Sequence, residues 1–161
     1  MNLIMGIDPG FKGAVAVLEP ISRALKGIWD IPTKYSELEE RTVFDLPALS
    51  SLIESQATQI KYAFIEKVSA MPSQGVVSMF RFGEGYGMLQ GLLAGALIPT
   101  FHSPSSVWKS AMGLTKDKNI SRRKAAELFP DYANSFELKS HDGRAEAALL
   151  AYFASRLNDI Y

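Results

Sequence analysis

Apolar residues along the chain come in short runs broken by turn formers, and the runs switch between strand and helix periods. Leu3 to Ile7 is uncharged and mostly apolar and ends in Asp8, the pattern of a buried central strand that delivers a carboxylate to the edge of a sheet. Pro9 and Gly10 then turn the chain, because proline donates nothing to a ladder and glycine tolerates positive φ; Ala14 to Leu18 can return as a hairpin partner. Ala24 to Ile31 supplies a third strand, stopped by Pro32, and the polar stretch Thr33 to Arg41 reads as an exposed connection. Asp45 is the predicted N-cap of a helix whose Leu46, Leu49, Leu52 and Ile53 share one face, with Pro47 in its first turn. Tyr62 to Ile65 is another short apolar run, and it too ends in an acid, Glu66.

Three strands, a helix and a further strand predict a mixed sheet in which the later strand arrives by a right-handed crossover. If that strand lies parallel beside the first, Asp8 and Glu66 emerge at one carboxyl edge, where open α/β sheets place their sites. Met71 to Gln74 reads as a loop, followed by a helical stretch to about Leu97. Within it Gly83, Gly87, Gly91 and Gly95 recur every fourth residue, with Gly85 in addition, although each glycine costs a helix roughly 1 kcal/mol. Such a smooth stripe admits another backbone, either the sheet of the same chain or the equivalent helix of a second subunit. Met79, Phe80, Phe82 and Tyr86 are either core or a surface for stacking on unpaired bases. Ile98 to Phe101 can form a last short strand. Ser121 can cap a helix through Ala125, Ala126, Leu128 and Phe129 that Pro130 ends, and a final helix begins near His141 to Glu146 and runs to Leu157.

The 161 residues, 47% hydrophobic, suit one domain over 1–161 with a full core. Seventeen basic and seventeen acidic residues cancel, which excludes an indiscriminate polycation; any anion-binding surface must be local. Such a patch lies between Lys109 and Lys124, where Lys109, Lys116, Lys118, Arg122, Arg123 and Lys124 face only Asp117, and Gly113 to Asn119 is polar enough to be a flexible loop presenting it to phosphates. The same charges also suit a solvated helix face. The absence of cysteine removes disulfides, thiolate metal sites and thiol nucleophiles, and fits a reducing cytoplasm. No basic region precedes an apolar signal core and no apolar run is long enough to span a bilayer, so a soluble, cytoplasmic protein without a membrane partner is expected.

The candidate chemistry lies in the acids. Asp142 and Glu146 are four apart, so a helix points both to one face, near an N-terminus whose dipole favours anions. Structural explanations stand beside the functional one: Asp8 can merely open a turn, Glu66 can pair with Lys67, and Asp142 and Glu146 can serve only the helix. Two carboxylates at one sheet edge repel each other unless a cation bridges them. An all-oxygen set without histidine or cysteine suits Mg²⁺ or Mn²⁺.

Taken in order, Met5-Gly-Ile-Asp8-Pro-Gly10, Phe64-Ile-Glu66, the glycine-bearing helix from Phe82 to Gly95, Pro104-Ser-Ser-Val107-Trp-Lys109 and His141-Asp142-Gly-Arg-Ala-Glu146-Ala-Ala run through nearly the whole chain. This set resembles the RuvC family of Holliday-junction resolvases, within the RNase H-like nuclease superfamily, most closely its phage-type members. The closing pair departs from the best-known bacterial pattern, which spaces its acids three apart and ends in Asp. The resemblance implies an α/β, RNase H-like fold with a five-stranded mixed sheet flanked by helices, a homodimer, and Asp8, Glu66, Asp142 and Glu146 binding two Mg²⁺ ions, for which Mn²⁺ would substitute.

It further implies a crossover junction endodeoxyribonuclease that cuts four-way DNA by paired symmetric nicks, leaving 5′-phosphate and 3′-hydroxyl ends, in a bacterial cytoplasm or in that of the host of a phage. Asp8 would bridge the metals, Glu66 hold one, and Asp142 with Glu146 the other. Lys118 would steady the scissile phosphate, and Lys109 with Lys118 or Lys116 resemble phosphate-contacting lysines. Arg122 and Arg123 extend that DNA-binding patch. Met71 and Gln74 are candidate DNA contacts, in a loop that could insert at the junction centre. Three other readings remain at this point. The same site could act on flaps, branched DNA or RNA–DNA hybrids; the chain could be a noncatalytic junction-binding dimer; or Gly6 to Gly10 could be the phosphate loop of an actin-like ATPase, although such enzymes need two domains of this kind.

Overall fold

A computed structural model describes residues 2–70 and 72–157. Strand β1 (Leu3–Asp8) is the centre of a five-stranded sheet: it pairs antiparallel with β2 (Ala14–Leu18), which pairs antiparallel with β3 (Leu25–Asp30). On its other side β1 runs parallel to β6 (Ile60–Lys67), and β6 runs parallel to β7 (Thr100–Pro104), giving the order β3-β2-β1-β6-β7. Between β3 and β6 lie a two-stranded hairpin, β4 (Thr33–Ser36) with β5 (Arg41–Phe44), and helix α1 (Leu46–Ala57). Helix α2 (Val76–Gly95) connects β6 to β7, and α3 (Ser105–Ala111), α4 (Lys118–Leu128) and α5 (Asp142–Leu157) complete the chain, with 3₁₀ turns at Pro130–Phe136 and Lys139–His141.

The sheet is buried on both faces, which is why β1 and β2 read as continuous apolar runs. Alternate residues divide between two cores: Leu3, Met5 and Ile7 pack with Leu49, Ile53, Leu89 and Leu93 of α1 and α2, whereas Ile4 packs with Trp108, Leu149 and Leu150 on the α5 side. At Gly6 the backbone of α5 comes so close that a Cβ would strike the Ala147 carbonyl and Ala151. A second close approach, of Gly143 to the Lys12 carbonyl, seats the first turn of α5 on the β1–β2 turn. These two contacts fix how far α5 lies from the end of β1.

Several expected boundaries shift, each for a local reason. The stretch from Thr33 to Arg41, expected as a connection, begins a hairpin; only its last residue, Phe44, is buried, against Phe11 and Gly85, so it carries too little apolar periodicity to announce a strand. The last strand starts at Thr100 instead of Ile98. Leu97 adopts φ 57° and closes α2 without glycine, and the Ile98 N–H is spent on the Leu93 carbonyl, so it cannot join the ladder. Helix α4 is capped by Asp117, whose Oδ1 accepts from the Asn119 N–H at 2.9 Å, and not by Ser121, which is buried inside it. The expected loop Gly113 to Asn119 therefore ends in helix, with Lys118 at its first position.

The glycines of α2 divide. Gly85 faces the core against Phe44, but nothing lies within 4 Å of a Cβ placed at Gly83, Gly87, Gly91 or Gly95. The stripe is thus open surface and does not serve packing among the described residues. Val76, Val77 and Phe80 are exposed on the same helix. Among the described residues no helix is long and apolar enough to cross a membrane.

Candidate functional site

Parallel pairing of β1 with β6 brings Asp8 and Glu66 out at one carboxyl edge, with Ile7 opposite Ile65 in the residues just before them. Helix α5 adds Glu146 from above, one turn into a helix whose start is held down at Gly143. Three carboxylates from three elements now share a poorly solvated corner, and Asp8 carries the strain. Burial, then the charges of Glu146 and Glu66, raise its pKa from 3.8 to about 7, against the opposing pull of Lys118 and Lys109. Burial also raises Glu66, countered by the hydrogen bond it accepts from Trp108.

Each acid has a specific neighbour. Trp108 Nε1 donates to Glu66 Oε2 at 2.9 Å, and Lys109 Nζ to Glu146 Oε1 at 2.7 Å in a pair largely shielded from water. Asp142, the remaining predicted acid, lines a cavity of about 810 Å³ that Asp8 also lines, together with Lys12, Asp30, Lys118 and Lys139. Its Oδ1 lies 3.1 Å from Arg122 Nε, but the two are not aligned for a hydrogen bond, so this oxygen is buried without one. Arg122 is held in turn by the Glu137 carbonyl, to which its Nη1 donates at 2.9 Å, and by Asn119. Among the described residues no three acidic or imidazole groups are close enough to enclose one ion. The donor set nevertheless fits a hard divalent cation: it is all oxygen, the charges of Glu146 and Glu66 both press on buried Asp8 and outweigh the pull of Lys118 and Lys109, and Asp142 lines the same cavity as Asp8 with one buried oxygen left without a hydrogen bond.

The basic residues separate by placement. Lys118 stands at the cavity, while Lys116 is exposed and Arg123 lies on the outer face of α4, 4.0 Å from Glu127. Lys109 and Arg122 face acids of the site instead of solvent. Gln74 is exposed before α2; Met71 lies outside the described residues. His141 Nδ1 accepts the Leu138 N–H at 3.3 Å and so closes the turn that leads into α5.

Sequence reasoning overlooked Trp108 as a partner of Glu66, and Lys12 and Lys139 as cations at the cavity. Arg144 grips Asp30 through two bonds of 2.7 and 2.6 Å and ties α5 to the end of β3. A tryptophan directly before a lysine in the same motif was the only signal available for Trp108.

The chain superimposes over 99% of its length on 96% of Thermus thermophilus RuvC in complex with a Holliday junction substrate, with a TM-score of 0.67 at 15% identity. The chain has the RuvC fold. The chain also shares its fold with the fowlpox virus Holliday junction resolvase, at a TM-score of 0.55 and 15% identity over 99% of both chains. By sequence, the chain is 26% identical over 149 residues to a chloroplastic Holliday junction resolvase of Chlamydomonas reinhardtii, which covers 79% of this chain. The chain spans 17% of the length of that curated relative. No family model matches the chain.

Proposed function

We propose that this chain is a metal-dependent DNA endonuclease that resolves four-way junctions by paired, symmetric nicks. The observation that carries the reading is the convergence of Asp8, Glu66 and Glu146 on the carboxyl edge of β1 and β6, beside a cavity flanked by lysines, on a RuvC fold. Relatives by sequence and by structure bear the name of Holliday junction resolvase, which supports junction DNA over flaps or hybrids as the substrate.

Asp8, Glu66, Asp142 and Glu146 would hold two divalent cations, Mg²⁺ or Mn²⁺. A cation there supplies a water of lowered pKa and charge stabilisation for the leaving oxygen. In the net hydrolysis a water oxygen would bond to phosphorus, the bond to the 3′ oxygen would break, and the proton the water gives up would end on that oxygen, leaving 5′-phosphate and 3′-hydroxyl ends. Lys118 contributes a fixed positive charge at the cavity to offset the phosphorane, and Lys12 and Lys139 flank the approach of the strand. Asp142 lines the same cavity as Asp8 and would join the other acids from there, with Arg122 beside its Oδ1.

Two opposed cuts need two such sites related by a twofold axis. The open glycine stripe of α2, which shares its side of the helix with exposed Val76, Val77, Phe80 and Glu84, is a surface on which the same helix of a second copy can lie. A labelled immobile four-way junction, duplex, flap and RNA–DNA hybrid, each incubated with Mg²⁺ or EDTA, test the reading. Metal-dependent paired nicks confined to the junction are expected. Cutting of flaps or hybrids alone would overturn the substrate, and junction binding without cutting in any divalent metal would overturn the chemistry.

A further inference from the structure

The short helix α3 follows β7, whose Ser103 pairs with Glu66, so the chain leaving the sheet turns back underneath the acid edge. Val107 on this helix is exposed, but Trp108 has no exposed surface and packs in the core below α5. A buried indole normally finds a partner for its N–H, and most find a backbone carbonyl or water. Here the partner is a carboxylate oxygen of Glu66, 2.9 Å away and 42 residues earlier in the chain. The next residue, Lys109, holds Glu146 and lies 5.3 Å from the Trp108 ring centroid.

We infer that Trp108 is a positioning residue for the metal site, its indole N–H fixing Glu66 by Oε2 and leaving Oε1 to meet the cation. This rests on the metal-site reading proposed above. The physical reason is that a glutamate has three side-chain torsions, and a ligand left to sample them loses affinity that a pre-set rotamer retains. Indole suits the task because it is donor-only, is rigid, and is locked by the core on every side. A lysine in its place would add a positive charge that competes with the cation.

The test compares Trp108→Phe with the unmodified chain by calorimetric titration of Mg²⁺, beside thermal unfolding and junction binding in EDTA. Phenylalanine keeps most of the ring packing and removes the donor. The half-saturating Mg²⁺ concentration is expected to rise about tenfold or more, while junction affinity in EDTA changes little. An unchanged Mg²⁺ affinity in folded Trp108→Phe would overturn the inference and leave Trp108 as core alone. If the unmodified chain itself binds no divalent ion, the metal-site reading falls first.

A second measurement does not depend on that variant folding. In Trp29→Phe, where Trp108 is the remaining tryptophan, its fluorescence is expected to change saturably as Mg²⁺ is added. The response should be lost when Glu66→Gln is combined with it. Emission that stays constant while calorimetry records Mg²⁺ binding would equally overturn the inference.

Discussion

Asp8→Asn separates the electrostatics of this site from its packing, because asparagine keeps the shape of the side chain and removes its charge. In the metal-free protein the Asp8 pKa rises from 3.8 to about 7, so the folded chain holds a proton that the unfolded chain has released. A group shifted upward contributes its full stability below pH 3.8 and loses it progressively as pH rises toward 7; above that the folded protein contains an ionised, crowded carboxylate. At about 1.4 kcal/mol per pKa unit the full penalty at pH 8 is about 4 kcal/mol, which access of water from the cavity reduces to about 2–3 kcal/mol. Denaturant unfolding in EDTA should therefore find Asp8→Asn more stable than the unmodified protein by about 2 kcal/mol at pH 8, with the gain shrinking toward zero near pH 4.

On the proposed metal site, excess Mg²⁺ should reverse the order at pH 8, because a ligand that binds only the folded state stabilises it and Asp8→Asn would lack one of the carboxylates that hold it. An asparagine variant no more stable than the unmodified chain at pH 8 in EDTA, or a gain of equal size at pH 4, would refute the account of a crowded and poorly solvated acid corner. Loss of junction cutting with retained junction binding is the matching functional result.

Other outcomes follow from particular contacts. Lys109→Met leaves Glu146 buried without its partner and should cost about 3 kcal/mol in EDTA, with part of the loss recovered in Mg²⁺ or by adding Glu146→Gln; urea unfolding with and without metal measures it. Gly6→Ala drives a methyl group into the Ala147 carbonyl and should destabilise by about 2 kcal/mol or more while lowering cutting, since it lifts α5 and Glu146 from the site; thermal unfolding and the junction assay report the two effects. Gly87→Glu meets nothing among the described residues, so it should leave the thermal stability of the isolated chain within about 1 kcal/mol and abolish association in sedimentation equilibrium. An unchanged association would remove the α2 face as the dimer contact.

The sequence by itself determined the strands that lie at the centre of the sheet and the two acids at their ends. A strand buried on both faces must be apolar throughout, so β1, β2 and the middle of β6 are visible as runs, and an acid terminating such a run stands out. Edge elements were less legible because half or more of their residues meet water: the β4–β5 hairpin buries little beyond Phe44, and β7 could not be separated from the closing turn of α2 at Leu97 and Ile98. What only the tertiary structure decided are the relations between residues far apart in the chain. That the α2 glycines face outward, that Lys109 and Arg122 turn toward acids, and that Trp108 reaches Glu66 depend on how helices seat on the sheet. Those seats are set by close contacts such as Gly6 against Ala147 and Gly143 against Lys12, and local hydrophobic periodicity does not encode them.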